Sequence, residues 1–62
     1  MTELQLDVLG YIGSGIGHTI NEIAEEIGES NIGTGRAVNY LIRNGLAYKV
    51  DNKVYPVKKN GG

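Results

Sequence analysis

Apolar residues recur at helical spacing in three stretches of the chain. The clearest is "TINEIAEEIG", where a threonine and the glutamate three residues later have the form of a capping box, and a glycine suits the C-terminal stop. Its apolar positions follow the i, i+3, i+4, i+7 spacing of one helix face: Ile20, Ile23, Ala24 and Ile27. This pattern predicts a helix over about residues 20–27.

The stretches on either side predict two more helices. "TELQLDVLGYI" begins with another capping box, Thr2 with Gln5, and predicts a first helix over about residues 3–13. The "GSGIGH" that follows predicts a loop, or a loop with one or two extended residues. After Ser30, a suitable N-cap, a third helix is predicted over about residues 31–44. Its inward positions are Thr34, Ala37, Val38 and Leu41.

The apolar period changes from 3.6 to 2 after Gly45, which predicts a hairpin over about residues 46–58 with a two-residue turn at "DN". Pairing across that turn places three pairs opposite each other: Val50 with Lys53, Tyr48 with Tyr55, and Leu46 with Val57. We expect the face with the two tyrosines to close over the helices. The tail, residues 60–62, is expected to be disordered.

The order of these elements resembles the winged helix-turn-helix superfamily of DNA-binding proteins. The resemblance is most specific in "TINEIAEEIGESNIGTGRAVNYLIRNGLAYKV", where Ala24 stands at the small position between two helices, Gly28 lies in the turn, and Gly45 is followed by a leucine that opens the hairpin. It implies an α+β, mostly helical fold in one domain over residues 1–59. The second helix would position the third, the third would be the recognition helix, and the hairpin would be the wing.

Two features depart from that superfamily's pattern. Glu29 stands where the turn usually carries an apolar residue. Gly33 and Gly35 lie inside the recognition helix, where each costs ~1 kcal/mol relative to alanine. The glycines must be tolerated or useful, and we expect them to let the backbone come close to a groove wall or to a partner helix.

The net charge of −1 conceals a division along the chain. Residues 1–30 carry six acidic side chains and no lysine or arginine, whereas residues 31–62 carry six basic side chains and one acidic, which gives −6 and +5. Such asymmetry points to a polyanionic partner for the basic half. The alternative is that the two halves pair with each other.

Catalytic and cofactor motifs fail in this chain. There is no cysteine and a single histidine, so no zinc site can be completed. "GYIGSGIGHT" lacks the lysine of a phosphate-binding loop, and "GTGRAV" lacks the third glycine of a dinucleotide fingerprint. We therefore expect no enzyme activity, metal, cofactor or small-molecule effector.

Two expectations concern location and assembly. No apolar run approaches the roughly 20 residues of a membrane span, and no signal-peptide pattern is present, so the sequence predicts no membrane partner and a cytoplasmic location, nucleoid-associated in a prokaryotic or viral setting. A homodimer is expected, with the first helix as its candidate face, because prokaryotic relatives often read two half-sites.

The outward face of the third helix suits DNA reading, because arginine grips guanine, asparagine grips adenine, and an apolar side chain meets the thymine methyl. The predicted function is sequence-specific binding of double-stranded DNA, as a small transcriptional regulator or an accessory DNA-binding factor. The candidate base contacts are Asn31, Ile32, Arg36 and Asn39. The candidate backbone contacts are Thr19, Gly33, Gly35, Tyr40, Arg43, Lys49 and Lys53.

A rival interpretation is a winged helix used as a protein-interaction module without DNA binding. The acidic second helix and the acidic isoelectric point of about 5.6 favour it, because strong DNA binders usually carry a clear positive excess. The two interpretations predict different surfaces. DNA binding predicts one continuous basic patch of Arg36, Arg43, Lys49 and Lys53, whereas protein binding is favoured if glutamates interrupt that patch. Those glutamates are Glu25, Glu26 and Glu29.

Overall fold

The computed structural model describes residues 1–58, which form a small α+β domain of three helices and one antiparallel sheet. The helices are α1 (Glu3–Ile12), α2 (Ile20–Ile27) and α3 (Asn31–Arg43). The strands are β1 (His18–Thr19), β2 (Ala47–Val50) and β3 (Lys53–Pro56), in the sheet order β1-β3-β2. The expected tail at residues 60–62 and the expected domain end at residue 59 lie outside the described residues.

Local capping signals set the helix bounds. Thr19 Oγ1 accepts a hydrogen bond from the Glu22 backbone N–H at 3.1 Å, and Glu22 Oε1 accepts one from the Thr19 N–H at 2.9 Å. Gly28 ends α2 in the left-handed conformation with φ 75°, which glycine adopts at little cost. The bounds of α2 are those predicted, and α1 and α3 each end one residue earlier than predicted.

The hairpin has the predicted register. Val50 pairs with Lys53 and Tyr48 with Tyr55, and the turn residues Asp51 and Asn52 both have positive φ, as a two-residue type I′ turn requires. The third strand, β1, comes from the glycine-rich loop before α2 and pairs with β3. That pairing joins segments far apart in sequence and was not predicted.

The expectation that the tyrosine face of the hairpin closes over the helices is wrong. Successive side chains on a strand point to opposite faces, and the face that meets the helices carries Ala47 and Val54, which are buried. Tyr48 and Val50 point outward and are 46% and 50% exposed. Small side chains permit close packing of this sheet on the helices, whereas tyrosine rings in the same place would hold it away.

The core lies between the three helices and the inner face of the sheet, and every element except β1 contributes a buried residue to it. The inward positions predicted for α3 are all buried. One of them, Thr34, is fully buried, and its hydroxyl has no hydrogen-bond partner among the described residues. The fully or nearly fully buried apolar residues are Val8, Ile12, Ile23, Ala24, Ala37, Val38, Leu41, Ala47 and Val54.

Within residues 1–58, none of the helices is long and apolar enough to cross a membrane.

Candidate nucleic-acid interface

The outward face of α3 is a continuous exposed surface because the buried positions of the helix all lie on its other side. Ile32 is 72% exposed although it is apolar. The other predicted residues of this face, Arg36, Asn39, Tyr40 and Arg43, are also exposed. An exposed isoleucine next to arginine and asparagine matches the mixture of apolar and bidentate polar contacts that base reading needs.

Four of these side chains line one shallow cleft. Arg36, Asn39, Tyr40 and Arg43 surround a space of about 290 Å³, and Gln5 of α1 completes its wall. The structure therefore brings together two predicted base contacts and two predicted backbone contacts. Gln5 was not among the predicted site residues, because its capping role in α1 says nothing about its nearness to α3.

Asn31 lies at the first position of α3 and is held by the neighbouring helix. Its amide Nδ2 donates a hydrogen bond to Asn21 Oδ1 of α2 at 3.0 Å. Both side chains are exposed, so a base could compete for this bond. In this arrangement the Asn31 side-chain amide donates its hydrogen bond within the protein, between α3 and α2. The role of Asn31 as a base contact stays a prediction.

The two glycines of α3 face other parts of the protein. A Cβ added to Gly33 would lie 3.1 Å from Ser30 Oγ and 3.7 Å from Leu4 Cδ2 of α1. A Cβ added to Gly35 would lie 4.0 Å from Ile20 at the start of α2. Both glycines are half-buried, so the space they leave adjoins α1 and α2. Their predicted backbone contacts with DNA stay predictions.

The N-terminus of α2 already holds a negative charge. The backbone N–H of Thr19 donates to the Glu22 carboxylate, and this bond, followed by the nearby charges of His18 and Lys53, outweighs desolvation and lowers the Glu22 pKa. Glu22 is therefore ionised at neutral pH. A carboxylate at this position repels a phosphate, which weakens the prediction that Thr19 contacts the DNA backbone.

The hairpin lysines lie on opposite faces of the sheet. Lys49 pairs with Val54 across β2 and β3, and Lys53 pairs with both Val50 and Thr19. Because Lys53 lies beside β1, its charge acts on Glu22 at the start of α2. Lys53 is the less available of the two lysines for a phosphate.

Within residues 1–58, the acidic and basic halves do not pair. No lysine or arginine lies within ion-pair distance of an aspartate or glutamate in this part of the chain, and His18 Nδ1 lies 3.8 Å from Glu22 Oε1. Arg36, Arg43 and Lys49 thus carry unpaired charge. Among the described residues, the two halves form no direct lysine or arginine ion pair, although the charge of Lys53 acts on Glu22.

Acidic and basic clusters lie beside different parts of α1. The Tyr11 pKa is raised by desolvation and by the charges of Glu26 and Glu22, which places those carboxylates near the C-terminal end of α1. The arginines share their cleft with Gln5 near its N-terminal end. Positions 5 and 11 of a helix lie about 120° apart around the axis and about 9 Å apart along it. Among the described residues, no carboxylate lines the arginine cleft.

Comparisons with known proteins give no match for this chain, whether with protein-family models, with curated proteins or with solved structures.

Proposed function

We propose that this chain is a winged helix-turn-helix protein that binds double-stranded DNA sequence-specifically, as a small transcriptional regulator or an accessory DNA-binding factor. In this proposal α3 enters the major groove as the recognition helix and the β2–β3 hairpin lies over the neighbouring backbone as the wing. The order of helices and strands supports it, together with the exposure of the outward face of α3.

One observation carries the proposal: Arg36, Asn39, Tyr40 and Arg43 line one exposed cleft on α3, and neither arginine has a carboxylate partner among residues 1–58. Exposed arginines without partners are ready to bind anions, since no intramolecular ion pair has to be broken first. Arg36 and Asn39 are one turn apart, so both can reach base edges while Arg43, a turn further on, meets a phosphate.

The start of α3 also suits an anionic backbone. Ser30 Oγ accepts a hydrogen bond from the Gly33 N–H at 3.0 Å, and the first turn of α3 carries no acidic residue. The partial positive charge of a helix N-terminus then remains available to a phosphate. Ile32, on the same turn, would meet a thymine methyl.

A second candidate function, a protein-interaction module, is favoured by the outer face of the sheet. Tyr48 and Val50 are exposed there. The two functions predict different salt dependence, because contacts made by exposed apolar side chains change little with ionic strength whereas phosphate contacts release counterions.

The test is a fluorescence anisotropy titration of labelled duplex DNA, with the sequence first selected from a random pool. We expect tighter binding to the selected duplex than to a scrambled one. We also expect log affinity to fall linearly with log salt between about 50 and about 200 mM. No binding at the lower salt, or affinity that does not change with salt, would rule out the DNA proposal.

Homodimerisation is proposed with it, because a single module of this size makes a limited DNA interface. Analytical ultracentrifugation of the full chain, alone and with the selected duplex, gives the stoichiometry directly. A stoichiometry of one chain per duplex at saturation would contradict homodimerisation on DNA but not the proposal that the chain binds DNA.

A further inference from the structure

The outer face of the sheet carries a stacked aromatic pair that the proposed DNA interface does not use. Tyr48 of β2 and Tyr55 of β3 are cross-strand partners, with ring centroids 5.4 Å apart and planes 20° from parallel. Offset stacking of this kind stabilises aromatic pairs and holds both rings in a fixed orientation.

One side of the pair is closed by the chain itself. The Tyr55 ring lies over Gly17, where a Cβ would come within 2.5 Å of Tyr55 Cε2. Gly17 also has φ +88°, a conformation that other residues rarely adopt. Glycine at this position therefore lets the Tyr55 ring lie close to the backbone that leads into β1.

The other side of the pair is open. β2 is an edge strand, so no further strand follows Tyr48 on that side, and Tyr48 is 46% exposed. Next to the rings lies a groove of about 570 Å³ within residues 1–58. Its lining residues are Ser14, Gly15, Tyr48, Tyr55, Pro56, Val57 and Lys58. A volume of this size is in the range of small-ligand sites.

The charged side chains near the groove favour an anionic ligand. Lys58 lines the groove and has no carboxylate within ion-pair distance among the described residues. No acidic side chain lines the groove. An exposed ring with an unpaired cation beside it matches a nucleotide, whose base stacks on aromatic rings and whose phosphate binds lysine.

A second copy of the chain fits the same edge less well. Antiparallel pairing of β2 with its own copy would bring together two four-residue strands, each with Lys49 near the centre. Like charges opposite each other destabilise such a pair, and lysine on an edge strand is a common protection against it.

We propose that this groove binds an unpaired nucleotide of a single-stranded nucleic acid, with the base against the Tyr48 and Tyr55 rings and the phosphate at Lys58. The site is separate from the outward face of α3 and does not depend on the duplex-binding proposal. It would let the protein hold a strand end, a loop or a locally opened duplex.

The experiment measures anisotropy of a labelled oligothymidylate of about eight nucleotides with the full-length chain. Tyr48→Leu keeps an apolar side chain on the strand but removes the ring, and we expect affinity on the order of 10-fold weaker. Tyr48→Phe keeps the ring and should bind within about twofold of wild type. Lys58→Ala should reduce the slope of log affinity against log salt by about 0.7.

Val50→Ala is the matched control, because it removes an exposed apolar side chain from the same face of β2 without lining the groove. It should leave oligothymidylate affinity unchanged. The proposal is overturned if Tyr48→Leu binds the oligonucleotide as wild type does, if Val50→Ala weakens it equally, or if wild type does not bind it at low salt. It is also overturned if Tyr48→Leu changes only self-association in sedimentation.

Discussion

Helices α2 and α3 lie next to each other and begin in different ways. α2 begins with a complete capping box, in which the Glu22 side chain covers the helix N-terminus. α3 begins with Ser30 alone, and Gly33 stands at the position where α2 has its glutamate. The first helix end is occupied by its own carboxylate, and the second is left open.

The exposed faces of the two helices also differ in charge. The exposed face of α2 is acidic, whereas that of α3 carries Arg36 and Arg43 without partners in the described chain. α2 satisfies the local rules of helix stability, and α3 departs from them with two glycines near its start. Both glycines adjoin other helices, Gly33 next to Leu4 of α1 and Gly35 next to Ile20 of α2, so these departures accompany the packing of α3.

The largest expected effect is on DNA affinity, and it distinguishes a substitution on the exposed face of α3 from one on α2. Arg36→Ala should weaken binding to the selected duplex by ~1–3 kcal/mol and reduce its preference over scrambled DNA, because a bidentate base contact is lost. The control on α2 is Glu25→Gln, an exposed position, which should not weaken binding. Anisotropy titrations on both duplexes measure it. Equal losses on selected and scrambled DNA would make Arg36 a backbone contact instead.

Next in size is the stability supplied by the two caps. Thr19→Ala removes a hydroxyl acceptor from a complete capping box and should lower the free energy of unfolding by ~1–2 kcal/mol. Ser30→Ala removes a single capping bond and should cost ~0.5–1 kcal/mol. Urea denaturation followed by circular dichroism gives both values. A larger loss at Ser30 would contradict the contrast between the helix starts.

A third prediction closes the open end of α3. Gly33→Glu would place a carboxylate where α2 has one, and Gly33→Gln is the uncharged variant of the same shape. Both crowd Ser30 alike, so their difference isolates the charge. We expect the glutamate variant to bind duplex DNA about 1 kcal/mol more weakly than the glutamine variant. Equal affinities would mean that no phosphate approaches this helix end.

Gly35 tests the packing of α3 on α2. Gly35→Ala should raise the free energy of unfolding by ~0.5–1 kcal/mol, because the new methyl would make ordinary contact with Ile20 at 4.0 Å and the unfolded chain would lose freedom. Thermal unfolding measures the gain. A destabilised variant would show that the helices are closer than an alanine permits.

The smallest effect is the pH dependence that Glu22 gives to α2. Its pKa is lowered in the folded protein, chiefly by the Thr19 backbone hydrogen bond, from the usual 4.5. The stabilisation is therefore present above pH 4.5 and is lost as the pH falls through the lower folded value. Wild type should lose more stability than Glu22→Gln on acidification to about pH 3 in urea denaturation. Parallel losses would contradict a charged cap.

Local signals made the helices and the hairpin turn predictable. Thr19 and Gly28 fix the bounds of α2, and "DN" sets the register of Val50 with Lys53, because each of these signals acts within a few residues. The inward face of α3 followed from its 3.6-residue period.

Features that depend on distant parts of the chain were not predictable. The hairpin has apolar residues on both faces, so its pattern alone did not show that Ala47 and Val54 would be buried while Tyr48 stayed outside. The pairing of β1 with β3 and the place of Gln5 beside the arginines depend on how the elements pack.

The most direct test of duplex binding by the outward face of α3 is an NMR experiment. Amide chemical shifts of the isotope-labelled chain are followed as the selected duplex is added at low salt. We predict the largest shifts in the first three turns of α3, centred on Ile32, Arg36 and Asn39, with smaller shifts at the hairpin tip and little change in α2 beyond its first turn. Shifts concentrated on the acidic face of α2, with the outward face of α3 unchanged, would contradict the proposal that α3 is the recognition helix.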